Sequence, residues 1–219
     1  MRAWLALKEA GVAFDEEVVD IRRPQRFANL RMIGSFSPPA AVPVLVTGAT
    51  VIFDSLAIME YANDRSGGRL LPEALEVRAH ARSIMAWQHS GLSGICARLS
   101  FESAFYPLKR AATAGERAES GRLFAFFEQL LAESGGPCLF GALSLADLTL
   151  VPTLLRLSRH DLHIAGWRHV EAWVVTMLAR PSVREWVDEA DRHPHIWYDD
   201  YLPPDQSPYE AAAAAVAAA

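Results

Sequence analysis

Strand signals and helix signals are unevenly distributed along this chain. Both occur before about residue 66, and only helical ones follow residue 75. A chain patterned in this way does not build one sheet-centred core from end to end. It needs a small α/β unit followed by an all-helical unit, which is an α+β architecture.

In the first part, Trp4, Leu5, Lys8 and Ala10 fit a short amphipathic helix, with Gly11 placed as its C-cap. Ala13 to Ile21 predicts a strand with Phe14, Val18, Val19 and Ile21 as its apolar members, broken by Arg22-Arg23-Pro24. Phe27 to Ile33 is weakly helical. Ser37-Pro38-Pro39 is irregular, since proline restricts itself and the residue before it. Val42 to Val46 predicts a strand with Pro43 near its start. Thr47-Gly48-Ala49-Thr50 is a turn, and Val51-Ile52-Phe53 returns as the second strand of a hairpin. Asp54-Ser55 then opens a helix carrying Leu56, Ile58, Met59 and Tyr61.

The helical part begins with a long pattern from Glu76 to Leu99, carrying Val77, Ala81, Ile84, Met85, Gln88 and Leu92. A second runs from Glu116 to Glu133. Ser144-Leu145-Ala146-Asp147 opens a third, which reaches about His160. Arg168 to Leu178 is a fourth. Ser182 to Ala190 is a fifth, with Pro181 suited to its first turn. The domain reading is residues 1–66, a linker over 67–75, a helical unit over 76–200 and an Ala-rich tail over 201–219, expected to fray.

Composition excludes several function classes. Hydrophobic residues make up 51%, enough to bury a core and too many for a disordered chain. The net charge of −5 argues against a nucleic-acid partner, which needs a basic surface. Cys96 and Cys138 form no CxxC, so a cysteine-built zinc site is not expected and a reducing cytoplasm is. No stretch approaches the roughly 20 apolar residues of a membrane span, so no membrane partner is expected. Met1 to Leu7 meets Lys8-Glu9 too early for a signal-peptide core.

Three motifs stand out. Val42-Pro43 is either an ordinary turn proline or a cis peptide, which costs about 0.5–1 kcal/mol before proline. Asp54-Ser55 is either a plain N-cap or a helix N-terminus offering N–H donors to an anion. Ser144 and Asp147 form a capping box, with Asp a shorter reach than the usual Glu. That box is expected to be a buried folding determinant with no role in chemistry.

Taken in order, these stretches resemble the glutathione transferase superfamily. Ser37-Pro38-Pro39-Ala40-Ala41-Val42-Pro43-Val44-Leu45 looks like the family segment that ends in a Val-Pro-Val-Leu strand. Asp54-Ser55-Leu56-Ala57-Ile58 looks like its acid-serine turn, Ser144 to Asp147 like its helical-domain cap, and Arg180-Pro181-Ser182-Val183 like its late helix break. The resemblance covers nearly the whole chain to about Trp197. It implies a thioredoxin-like domain before an all-helical one. It also implies a cis bond at Pro43, with the Val42 backbone pairing with the cysteinyl part of glutathione like an added strand. Ser55 would donate to the γ-glutamyl carboxylate, and Asp54 would help to hold the ammonium. Two departures are Ala41, where relatives often carry a basic or polar residue, and Ala40, where they often carry Gly.

The resemblance also implies a strand before the first helix, with a catalytic Ser, Cys or Tyr at the junction. Arg2-Ala3-Trp4-Leu5-Ala6-Leu7 resembles the residues just after that position, so no residue of this chain is assigned as catalytic. The expectation is that Met1 is internal to a natural protein starting some ten to twenty residues earlier, the alternative being a true short form with a distorted or borrowed sheet. Without that strand the first half loses backbone partners and apolar contacts, of the order of a domain's net stability of about 5–15 kcal/mol.

His89, Arg98 and Phe101 are candidates for the cleft between domains, where the family holds its electrophilic second substrate. Phe105 and Tyr106 would add an apolar wall. His160, Asp161 and His163 are expected on the surface, and metal binding there or at His193 and His195 is not expected. Cys96 and Cys138 are expected to be small buried hydrophobes. The reading is glutathione conjugation or glutathione-dependent thiol transfer to a small electrophile, with glutathione as substrate, no metal, a homodimer and a role in detoxification. The competing class is a non-catalytic scaffold that keeps the fold.

Overall fold

Helix α1 (Arg2–Ala10) turns Ala3, Leu5, Ala6, Leu7 and Ala10 inward and ends where Gly11 adopts φ 71°. The Gly11 N–H then reaches the Leu7 and Lys8 carbonyls, closing the helix as the sequence suggests. The computed structural model describes residues 1–21, 24–160, 162 and 164–193, and only the backbone of residues 93, 97 and 98. The calls on Asp161, on His163, on His195 and on the tail over 201–219 lie outside the described residues, as do residues 194–200 of the helical unit.

The expected strand from Ala13 to Ile21 does not form. A strand exists by pairing its backbone groups with a neighbour. Among the described residues the sheet has two strands, β1 (Val44–Thr47) and β2 (Thr50–Phe53), paired antiparallel. The segment over 13–21 finds no ladder partner, and Val18 is 71% exposed. Helix α2 (Arg26–Gly34) precedes the hairpin, and α3 (Ser55–Arg65) follows it. Helix α3 packs on α1 through Ile58, Met59 and Ala62.

The linker is not loose. Leu70 and Leu71 are buried, the Leu70 N–H donates to Asn63 Oδ1 at 3.0 Å, and the Leu145 N–H donates to Leu70 O at 2.7 Å. Helix α4 (Leu75–His89) stops ten residues before the long pattern does. Gly91 at φ 96° and Gly94 at φ 104° take left-handed turns that an α-helix cannot carry. A 3₁₀ turn over Leu92–Gly94 and the short helix α5 (Ile95–Arg98) follow instead.

Helix α6 (Ala114–Ser134) starts two residues earlier than its pattern. The Thr113 hydroxyl accepts the Glu116 N–H, and the Glu116 carboxylate accepts the Thr113 N–H. Helix α7 (Leu145–Arg159) is the centre of the molecule, buried on all sides from Leu145 to Leu155. Pro152 lies within it. Helices α8 (Arg168–Leu178) and α9 (Pro181–Ala190) complete the order. The order is a thioredoxin-like α/β unit followed by a helical unit.

The cap of α7 is more elaborate than its motif. Asp147 is fully buried, and each of its oxygens accepts two hydrogen bonds. Oδ2 accepts the Ser144 N–H and Oγ–H at 2.9 and 2.7 Å. Oδ1 accepts the Leu139 N–H at 2.9 Å and the Trp173 indole N–H at 3.0 Å. Burial still pushes the Asp147 carboxyl above its ordinary value, against these four donors.

The expectation of a surface His160 is corrected. Its ring is buried, with Nδ1 2.7 Å from the Arg156 carbonyl and Nε2 3.4 Å from Ser103 Oγ. It lies one residue past the end of α7, where the chain turns inward, and burial lowers its pKa. Cys138 is buried, and burial pushes its thiol up to about 12. Cys96 is only half-buried, with Sγ 3.9 Å from Thr153 Oγ1.

Candidate functional site

The hairpin brings the two sequence motifs together. Val44 pairs with Phe53, the outermost pair of the ladder. The ladder ends at that pair, so Pro43 and Asp54 leave the hairpin at the same end, each one residue beyond its strand. The Val42–Pro43 bond is cis, and Val42 is exposed. The loop before it carries Ala40 at φ 47°, a left-handed conformation that favours glycine. This explains physically why a glycine suits that position.

Asp54 is the N-cap of α3, with its Oδ1 accepting the Leu56 N–H at 2.7 Å. Its backbone sits at φ 74° and ψ 136°, a region that non-glycine residues occupy at a cost of order 1–3 kcal/mol. Strain of this kind persists where the surrounding structure holds it and is concentrated at functional sites. Ser55 follows as the first helical residue and is buried. Its hydroxyl has no hydrogen-bond partner among the described residues. A buried hydroxyl without a partner costs free energy. Here it lies at a helix N-terminus whose first N–H groups lack intrahelical acceptors. A carboxylate is the complement of such a site.

The remaining contacts to Asp54 come from the helical unit. His89, the last residue of α4, has Nε2 3.2 Å from Asp54 Oδ2. Its Nδ1 is 3.3 Å from Arg2 Nη1, which also donates to Gln88 Oε1 at 2.6 Å. A neutral ring with the proton on Nε2 satisfies both contacts, donating to Asp54 and accepting from Arg2. Arg2 lies at the start of α1, and burial lowers its pKa. Sequence reasoning placed His89 in the cleft and missed Arg2 and Gln88. No local spacing connects positions so far apart.

The candidate cleft residues separate. His89 joins the α3 entrance, whereas Phe101 lines a cavity of about 720 Å³ with Trp4, Phe105 and Trp186. Arg98 ends α5, and its side chain lies outside the described residues. Among the described residues no group of three or more His, Cys, Asp or Glu side chains is placed to hold a metal ion.

Comparison with known proteins agrees with this architecture. The family profile "Glutathione S-transferase, N-terminal domain" matches residues 1–65, and "Glutathione S-transferase, C-terminal domain" matches residues 74–188. Glutathione S-transferase theta-3 of Mus musculus is 24% identical over 107 residues, 48% of this chain and 44% of that protein. The chain thus spans less than half the length of this relative. The probable maleylacetoacetate isomerase of Caenorhabditis elegans is 28% identical over 188 residues, covering 83% of this chain and 84% of that protein. A Burkholderia glutathione transferase homolog, solved with bound glutathione, shares the fold with a TM-score of 0.63 and 24% identity, covering 88% of this chain and 91% of that one. On the two domain profiles, which together take in most of the described residues, the chain belongs to the glutathione S-transferase family.

Proposed function

We propose that this chain binds glutathione at the entrance of α3 and uses it in conjugation or thiol transfer to a small electrophile. The observation that carries this reading is the Ser55 hydroxyl, buried and without a partner among the described residues at a helix N-terminus. The γ-glutamyl carboxylate would accept from that hydroxyl and from the Ser55 N–H, the Leu56 N–H being held by Asp54. The Asp54 carboxylate would take the ammonium, held in place by His89. The exposed Val42 backbone would pair with the cysteinyl residue like an added strand. In this reading the thiolate is favoured by nearby donors and by the positive end of a helix, which lower a thiol pKa from about 8.5. No residue of the chain is assigned as the catalytic donor.

The cavity beside Phe101 is read as the site of the second substrate. Among the described residues no helix is long and apolar enough to cross a membrane. Action in the cytoplasm, a homodimer and a role in detoxification complete the proposal, each supported by the family alone.

The experiment is retention of the full chain on immobilised glutathione, followed by calorimetric titration. Wild type is expected to be retained. Ser55→Ala is expected to bind about tenfold more weakly, since a hydrogen bond to a charged group contributes about 1.5–3 kcal/mol. If neither protein were retained, the reading would fail.

A further inference from the structure

The cavity beside Phe101 has a chemical character of its own. Its volume, about 720 Å³, is within the range of small-molecule sites. One wall is a continuous aromatic cluster: Phe101 lies 5.4 Å from Phe105 and 5.7 Å from Trp186, with Phe105 and Trp186 6.3 Å apart. Trp4 faces them. The rest is acidic. Glu16, Glu102, Glu185, Asp188 and Glu189 line the space against a single guanidinium, Arg192, and His193.

Some of those carboxylates are already engaged. Glu185 pairs with Lys8 at 2.7 Å, and Glu189 pairs with Arg192 at 2.8 Å and faces His193 at 3.5 Å. Glu16 accepts the Trp4 indole N–H at 2.9 Å. Glu102 and Asp188 have no hydrogen bond or ion pair among the described residues; Arg156 lies within the longer-range field of Glu102. Three of the aromatic rings already carry a cation. Lys8 stands 4.8 Å from the Trp4 ring, Arg156 5.6 Å from Phe101 and Arg159 4.7 Å from Phe105. Trp186, the ring type that attracts cations best, carries none among the described residues.

Three ligand classes meet different fates here. An anion would face five lining carboxylates; Arg192 is already bonded to Glu189, and Lys8, Arg156 and Arg159 stand against the rings without lining the space. A neutral apolar molecule would strip water from Glu102 and Asp188 without replacing it. A flat organic cation would stack on Trp186 while its charge meets those two carboxylates. We propose that this cavity binds organic cations, an aromatic body bearing a positively charged nitrogen, with Trp186 as the stacking face and Glu102 and Asp188 as the counter-charge. The link to conjugation rests on the reading of this cavity as the second-substrate site; the binding itself does not.

The test compares N-methylquinolinium with quinoline, uncharged at neutral pH, and with 2-naphthoate, using tryptophan fluorescence of the full chain without glutathione. The cation is expected to bind about tenfold more tightly than quinoline, and naphthoate more weakly than either. The preference should fall to within about twofold in the double variant Glu102→Gln/Asp188→Asn and should shrink as salt is raised. Trp186→Leu, which leaves every charge in place, should weaken the cation most of the three. Equal affinity for cation and neutral isostere, tighter binding of naphthoate, or a preference unchanged in the double variant overturns the proposal. Cation preference in a protein that glutathione resin fails to retain would uphold this inference and sink the proposed function; retention without preference would do the reverse.

Discussion

Asp54 Oδ2 and His89 Nε2 stand 3.2 Å apart, joining the first turn of α3 to the last residue of α4. Both side chains are partly exposed, so the pair adds little to folding stability. Its consequence is orientation. Asp54 is already bound to the Leu56 N–H through Oδ1, and His89 fixes the direction of its second oxygen. His89→Ala is expected to weaken glutathione binding about threefold while leaving the melting temperature nearly unchanged, as for an exposed pair worth roughly 0.2–1 kcal/mol. Calorimetry with a parallel thermal melt checks both halves. A large loss of stability with unchanged affinity would contradict it.

Asp147 is a different case, because its loss leaves donors stranded. Asp147→Ala removes the acceptor of the buried Leu139 and Ser144 N–H groups and of the Trp173 indole. At about 1–3 kcal/mol for each unsatisfied group, a destabilisation of about 3 kcal/mol or more is expected. Trp173→Phe keeps most of the packing and leaves only one lone pair of Asp147 unused. It should cost distinctly less in a denaturant titration.

Glu116 makes part of the stability depend on acid. Bidentate hydrogen bonds from Arg110, at 2.8 and 2.6 Å, and a bond from the Thr113 N–H lower its pKa from 4.5 to about 2, against the opposing effect of burial. A carboxylate whose folded pKa lies below its unfolded one stabilises the fold above the unfolded value and loses that contribution as pH falls toward the folded one. The stability gap between wild type and Glu116→Gln should therefore be full above about pH 5, of the order of 3 kcal/mol, and close between there and pH 2. Unfolding curves of both proteins across that window decide it. A gap that is independent of pH would show that the ion pair contributes nothing through charge.

Ala40 holds φ 47° in the loop ahead of Pro43. Ala40→Gly removes the Cβ that makes this conformation costly, at the price of a freer unfolded chain. A net gain of up to about 1 kcal/mol is expected from chemical denaturation. A loss would mean that the Ala40 methyl group packs more usefully than its backbone angle suggests.

Much of the fold was legible because it is written in short patterns. Gly11 as a cap, the turn between β1 and β2, and Ser144 with Asp147 each need only a few neighbouring residues to be read. The cis bond at Pro43 was an expectation from the family resemblance. Val18 was misread because alternation signals a strand without saying whether a partner exists. His160 was misread because its polarity suggested solvent, whereas its place at the end of α7 carries it inward. Arg2 against His89, Glu9 against Arg180 and Trp173 against Asp147 had no local signal at all, since folding alone makes them neighbours.

The bond from the Leu145 N–H to the Leu70 carbonyl has a mechanical meaning. It ties the connection between the two units to the first turn of α7, the helix buried on all sides over most of its length. Any shift that carried Leu70 away from α7 would have to break it. Such a shift would therefore strand a backbone donor and acceptor that belong to two buried residues.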